Sequence, residues 1–201
     1  MKTIKLLMLS GGIDSTYLAW RLVKENTPNL HIHYISIRNS IEKIWEEQDK
    51  RIPQIIKYLR NMDNSFKFSK SRFDFFGFGK VGWDSDIVLL VGQKVALNQP
   101  GCRTELIIGW NPFDMTRPIV ADRAERRVTP NIWEALIESA KNKDDIEKKL
   151  SFPLIEDNIT KTQIIKEMPK ELLDLTWSCR HPENGKPCKR CHACIEVRGG
   201  A

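Results

Sequence analysis

Three observations predict an α/β fold with a doubly wound, parallel, five-stranded sheet. Short apolar runs alternate with longer stretches of helical spacing, the pattern of a parallel sheet covered by helices on both faces. The segment Ser10-Gly11-Gly12-Ile13-Asp14-Ser15 separates the first apolar run from the first helical stretch, as a strand-turn-helix unit requires. The chain has 201 residues, enough to bury one full core and carry a small appendage.

The elements follow in order. Strands are expected at Ile4 to Leu9, His31 to Ile37, Ser65 to Lys70 and Glu105 to Gly109, with a weaker one at Leu150 to Ile155. Helices are expected at Ser15 to Glu25, Ile41 to Asn61, Asp86 to Asn98, Pro130 to Lys141 and Thr160 to Glu167. Pro53 lacks an N–H and its ring crowds the preceding turn, so a kink or break is expected there. Residues 71 to 84, rich in Phe and Gly, read either as a loop over the cleft or as a flap with a packing role. In open sheets of this type, ligands sit at the carboxyl ends of the strands beside the switch point. That rule gathers Ser10 to Ser15, Ser36 to Asn39 and Trp110 to Asp114 around one cleft.

The Gly-Gly turn has the chemistry of a phosphate trap. A strand ending in such a turn at a helix start points free backbone N–H groups and the positive end of the helix dipole at one small volume. Glycine lets an anion approach where a Cβ would block it, and Ser10 and Ser15 add hydroxyl donors. Asp14 would repel a bare phosphate, so its roles are capping, orienting the loop or holding Mg²⁺. The bland alternative is an ordinary turn capped by Ser or Asp.

Composition narrows the partners. The chain is 41% hydrophobic and 29% charged, the balance of a globular protein, and no run reaches the length of a membrane span. No secretory signal is visible, so a cytoplasmic location is expected. A formal charge of +6 suits anionic small substrates such as ATP and a carboxylate and gives no argument for nucleic acid. A homodimer is compatible with the sequence.

Four of the five cysteines, Cys179, Cys188, Cys191 and Cys194, fall within the last 23 residues, and in a chain of cytosolic type such clustering argues for metal over disulfides. Four thiolates close a tetrahedral Zn²⁺ shell with no open position, which makes the ion structural. Lys186, Lys189 and Arg190 offset its negative charge. The Cys-x2-Cys-x2-Cys run also suits a 4Fe–4S cluster, although the ferredoxin continuation is absent. His181 and His192 are substitute ligands or exposed loop residues, and Cys102 reads as an inert buried thiol. Because the thiols and the Gly-Gly turn lie at opposite ends of the chain, ATP affinity is expected to be indifferent to the cysteines.

The six residues Ser10 to Ser15 match the signature of the PP-loop ATP pyrophosphatases (adenine nucleotide alpha hydrolase type). Together with the four-cysteine knot they resemble the 7-cyano-7-deazaguanine synthase (QueC) family. Ile108-Gly109-Trp110-Asn111 with Asp114, Thr176-Trp177-Ser178-Cys179 and the closing Cys188 to Arg198 are similar to segments of that family. Pro153-Leu154 with Lys161 resembles the PL…K element common among PP-loop enzymes, at a somewhat longer spacing. The chain departs from the family at Arg38-Asn39-Ser40-Ile41, at Gly82-Trp83-Asp84-Ser85 and at Val120 to Arg127, segments that would line the base pocket.

The resemblance implies a PP-loop nucleotide-binding domain over residues 1–170 and a zinc-binding segment over 171–201. ATP would contact Leu9, Ser10, Gly11, Gly12, Ile13, Asp14, Ser15, Thr16, Ser36, Ile37, Arg38 and Gly109. The catalytic set would be Asp14, Ser15 and Lys161, and the acid substrate would meet Trp110, Asn111, Asp114 and Arg123. Charge on the pyrophosphate would be met by Lys161 or by one arginine among Arg117, Arg123, Arg126 and Arg127. The implied reaction turns 7-carboxy-7-deazaguanine, ammonia and ATP into 7-cyano-7-deazaguanine, in the pathway of queuosine-type bases. Adenylation converts a carboxylate oxygen into AMP as leaving group, ammonia attacks to give the amide, and a second activation on the amide oxygen permits loss of AMP to the nitrile. No general base for ammonium is identifiable. Alternatives are an enzyme that stops at the 7-amide or takes a related acid, and a tRNA sulfur transferase with an iron–sulfur centre. A third is an idle fold that binds nucleotide or nucleic acid through the basic knuckle.

Overall fold

Each strand owes its place to which of its faces is apolar. A computed structural model of the chain describes residues 2–77, 84–99, 101–116, 128–139 and 148–199. Five strands, β1 (Thr3–Leu9), β2 (Leu30–Arg38), β3 (Lys67–Asp74), β4 (Arg103–Ile107) and β5 (Lys148–Ser151), form one parallel sheet of order β3-β2-β1-β4-β5. β1 lies at the centre and is apolar on both sides: Leu7 and Leu9 enter one core, Leu6 and Met8 the other.

The first core packs α1 (Ile13–Lys24) and α2 (Ile44–Met62) against the sheet, through Ile13, Tyr17, Leu18, Ile52, Ile55 and Leu59. The second takes α3 (Asp84–Leu97) and α5 (Val128–Ser139), with Ile87, Leu89 and Trp133 on Leu106 and Ile108. A short α4 (Pro112–Thr116) follows β4. After β5 come the turn-like α6 (Pro153–Glu156), α7 (Lys161–Glu167) and α8 (Lys170–Leu173). The tail ends in α9 (His192–Gly199). Ile164, Met168 and Leu172 return the chain to the first core, so burial there continues past residue 170. No helix among the described residues is long and apolar enough to cross a membrane.

This is the expected doubly wound architecture, with differences in detail. α2 runs unbroken through Pro53. One missing N–H is outweighed by Ile52, Ile55, Ile56 and Leu59, whose helical spacing anchors both sides of the proline in the core. The fifth strand stops at Ser151, because Pro153 opens the turn of α6. β3 extends to Asp74, so the first residues of the expected flap are strand, and 78–83 lie outside the described residues, as does Lys141. Cys102 is half-exposed, not buried, since it sits just ahead of β4 rather than within it.

The order in which strands are added to the sheet reverses between β1 and β4, which run parallel with Leu7 paired to Ile107. The carboxyl ends of these two strands therefore flank the switch point.

Candidate functional site

The loop after β1 is built from short-range bonds. Gly11 takes φ +80°, a left-handed conformation that a side chain would strain, and Gly12 caps α1 with extended backbone. The Ser10 and Ser15 hydroxyls lie 2.9 Å apart, the Ser10 amide donates to Ser15 Oγ at 3.1 Å, and the Gly12 amide donates to Ser10 Oγ at 3.2 Å. Thr16 N–H makes the first intrahelical bond, to the Gly12 carbonyl at 3.1 Å. The amides of Ile13, Asp14 and Ser15 thus head the helix without a carbonyl one turn earlier to receive them. Gly109, after β4, packs directly on this turn: a Cβ there would stand 3.0 Å from Ser15 N and 3.1 Å from Ser15 Cα.

Lys161, at the start of α7, is buried, and its ammonium pairs closely with Asp14 Oδ2 and lies 3.6 Å from Glu196 Oε1. A capping box between Thr160 and Gln163 fixes that helix start. The other Asp14 oxygen, Oδ1, is buried with no hydrogen-bond partner. Asn111 is 1% exposed and its groups are committed: Oδ1 accepts from Phe113 N–H at 2.8 Å and Nδ2 donates to Glu196 Oε1 at 3.2 Å. Asp114 Oδ2 accepts from Asn111 N–H at 3.1 Å. Burial first, and then the charges of Asp14 and Asp114, raise the Glu196 carboxyl above its usual range against the pull of Lys161.

The second wall is the end of β2. Ser36 is buried, and Arg38 donates to Ser36 Oγ at 3.1 Å and to Asp49 Oδ2 at 2.7 Å while lying over the Trp45 ring. Trp110 stacks on Phe152 with centroids 5.2 Å apart. Leu9, Ser10 to Thr16, Gly109, Trp110, Asn111, Asp114 and Lys161 thus converge at the switch point, with Ser36 to Arg38 at the neighbouring strand end. Arg117, Arg123, Arg126 and Arg127 lie outside the described residues.

The four cysteines also come together. Sγ atoms of Cys179, Cys188, Cys191 and Cys194 all lie within 4.8 Å of one another, a set able to hold a metal ion, and neither His181 nor His192 belongs to it. A turn with Asn184 and Gly185 at positive φ closes the Glu183–Lys186 bridge between the first two ligands. The Cys188 amide donates to Cys179 Sγ at 3.2 Å, and the Cys191 amide to Cys188 Sγ at 3.4 Å. Donation from the Arg190 and Cys191 backbone lowers the Cys188 thiol to about 6, whereas burial raises Cys179, and raises Cys194 to about 12.

The tail is not remote from the turn, as separation in the chain suggested. Trp177 N–H donates to the Gly11 carbonyl at 2.9 Å, and Ile13 N–H donates to Ser178 Oγ at 3.3 Å. Gln48 Nε2 holds the Trp177 carbonyl at 3.3 Å, and Arg51 lies over the Trp177 ring. Arg180 joins Glu42 at 2.6 Å and Asp84 at 3.1 Å, fastening the tail to the approaches of α2 and α3. Sequence reasoning gave no role to Ser178 or Glu196. Their sequence signal is nearness to Cys179 and Cys194, within the two segments noted above as similar to the family.

No protein-family model matches the chain, and no curated protein matches it. The fold is similar to that of the U34-tRNA thiolase NcsA from Methanococcus maripaludis, solved with its 4Fe–4S cluster. TM-score is 0.56 and identity 19%, over 99% of this chain and 65% of the thiolase. The likeness is one of fold, and the chain spans only 65% of the thiolase's length.

Proposed function

We propose that the chain is an ATP-dependent enzyme of PP-loop type that activates a carboxylate as its adenylate and delivers ammonia to it. The acid we assign is 7-carboxy-7-deazaguanine, carried to the nitrile as in the 7-cyano-7-deazaguanine synthases it resembles. The observation that carries this reading is the convergence of the Ser10–Ser15 turn, Lys161 and Gly109 at the switch point of a doubly wound sheet. Amides at the head of α1 suit the charge that builds on departing pyrophosphate, and Lys161 is placed to add to them. The adenosine fits against the end of β2, near Ser36 to Arg38.

Two metals are implied. Asp14 Oδ1, buried without a partner, suits Mg²⁺ that accompanies ATP and neutralises its phosphates. For the thiols, a tetrahedral Zn²⁺ with Zn–S of roughly 2.3 Å sets sulfurs about 3.8 Å apart. Sulfurs within 4.8 Å of one another are compatible with a single ion. A four-iron cluster interposes irons and sulfides between its thiolates and spreads them farther. A structural Zn²⁺ at Cys179, Cys188, Cys191 and Cys194 is therefore our assignment.

The second reading, ATP-dependent sulfur transfer to tRNA at an iron–sulfur centre, is favoured by the fold likeness to NcsA with its cluster. Incubation with ATP, ammonia and 7-carboxy-7-deazaguanine, followed by mass analysis, tests the first: a nitrile with release of AMP and pyrophosphate supports it. A brown protein containing iron, inert toward the acid but active on tRNA, supports the second.

A further inference from the structure

Both ends of the cysteine centre reach the Gly-Gly turn. On one side, Trp177 and Ser178, immediately before Cys179, bond to Gly11 and Ile13. On the other, Glu196, two residues beyond Cys194, lies beside Lys161, the partner of Asp14. Ser178 occupies the more telling place. Its Oγ takes the Ile13 amide, one of those at the head of α1, and a Cβ built on Gly12 would stand 3.6 Å from Ser178 Oγ and 3.3 Å from Ser10 Oγ. Three hydroxyls, those of Ser10, Ser15 and Ser178, thus border the space over the turn.

We propose that Ser178 is a diphosphate-binding residue positioned by the cysteine centre, so that metal on the four thiols and an anion on the Ser10–Ser15 turn bind with positive coupling. The inference rests on reading that turn as a phosphate site. A hydroxyl that accepts from Ile13 in the free protein can rotate to donate to a phosphate oxygen once the anion takes the amide. Ser178 can do so only while its backbone is held. Among the described residues the buried apolar contacts around the thiols are Trp177, Cys179 and Cys194, with Ile44, Cys188 and Cys191 half-buried against them. So small a cluster cannot order the segment without the ion. Removing the metal frees Trp177 from the Gly11 carbonyl and withdraws Ser178, and the anion must then order a left-handed glycine turn by itself. Arg180, tied to Glu42 and Asp84, keeps the freed segment near the body.

The test is calorimetric titration of inorganic pyrophosphate into the full chain, zinc-loaded and chelator-stripped, for wild type and Ser178→Ala. Coupling energies of this kind amount to about fivefold or more, so the loaded wild type is expected to bind pyrophosphate at least about fivefold tighter than the stripped form. Ser178→Ala keeps all four thiols and its zinc, and loses most of that difference. Coupling is reciprocal, so saturating pyrophosphate must raise the zinc affinity of the wild type against a competing chelator by the same factor. That measurement needs no stripped protein to stay folded. Equal pyrophosphate affinity in both forms, or a zinc affinity that pyrophosphate leaves unchanged, overturns the coupling. Full coupling in Ser178→Ala overturns the role of Ser178. No pyrophosphate binding in any form overturns the phosphate-loop reading beneath it.

Discussion

Gly109→Ala puts the geometry of the switch point under direct load. The added Cβ would stand 3.0 Å from Ser15 N, 3.1 Å from Ser15 Cα and 3.4 Å from the Asp14 carbonyl carbon, all backbone atoms, so no side chain can rotate out of its way. Either the end of β4 or the first turn of α1 must retreat by several tenths of an ångström. Overpacking of this kind costs about 1–3 kcal/mol. In a chain of this size that is a Tm lower by about 2–12 °C. The retreat also moves the Ser15 amide, one of the groups to which the proposed function assigns the phosphates, and small misplacements in such sites cost up to about 10²-fold. Paired thermal melts and pyrophosphate titrations of Gly109→Ala and wild type are the assay. A variant that melts and binds like wild type would show that the β4 end does not set the position of the turn. Loss of stability with unchanged binding would show that the Ser15 amide takes no part in holding the anion.

Other outcomes follow from the same contacts. Asp14→Ala should reduce AMP release at least about 10²-fold while the fold holds, because buried Lys161 retains Glu196 as a partner; near-normal turnover contradicts the assignment. Cys191→Ser should lower metal content and melting temperature together and, given the Trp177 and Ser178 contacts, weaken ATP binding as well; a metal-poor variant with an unchanged melt refutes a structural ion. Burial lowers His31 and His33 to about 4, and protonation therefore favours the unfolded chain. Their contribution is complete above about pH 6.5 and is lost as pH falls from there toward 4, at about 1.4 kcal/mol per ring for each unit of displacement. Denaturation midpoints should show a steeper decline across that window in wild type than in His31→Asn/His33→Asn, and equal slopes refute the account.

The fold was legible because its determinants are local. β1 reads as strand from a short apolar run, and its burial on both faces follows from Leu6, Leu7, Met8 and Leu9 all being large and apolar. The turn was legible for the same reason, since Ser10, Gly12 and Ser15 satisfy one another within six residues. Local rules misled where long-range packing outweighs them. Pro53 is a helix breaker by propensity, yet four buried aliphatic residues around it keep α2 continuous through it. His31 and His33 fall in the expected strand His31 to Ile37, but their pairing with Ser69 and Ser71 had no local mark and exists only because β3 lies alongside in the matching register.

The site divides along the same line. Four cysteines announce a metal centre because ligand spacing in a short loop is itself a local property. What they do to the turn after β1 has no local mark, for the Ile13–Ser178 bond joins residues 165 positions apart and the Lys161–Asp14 pair residues 147 apart. Only the topology brings them together. β5 closes one edge of the sheet, and the chain then returns through α7 and α8 across the face that α1 covers, burying Ile164, Met168 and Leu172 there. That return delivers Trp177 to the Gly11 carbonyl and the following thiols to its flank. An independent appendage would have required a core of its own, which this tail lacks. Its order is borrowed from the turn on one side and from the thiol centre on the other, and this arrangement makes each sensitive to the state of the other.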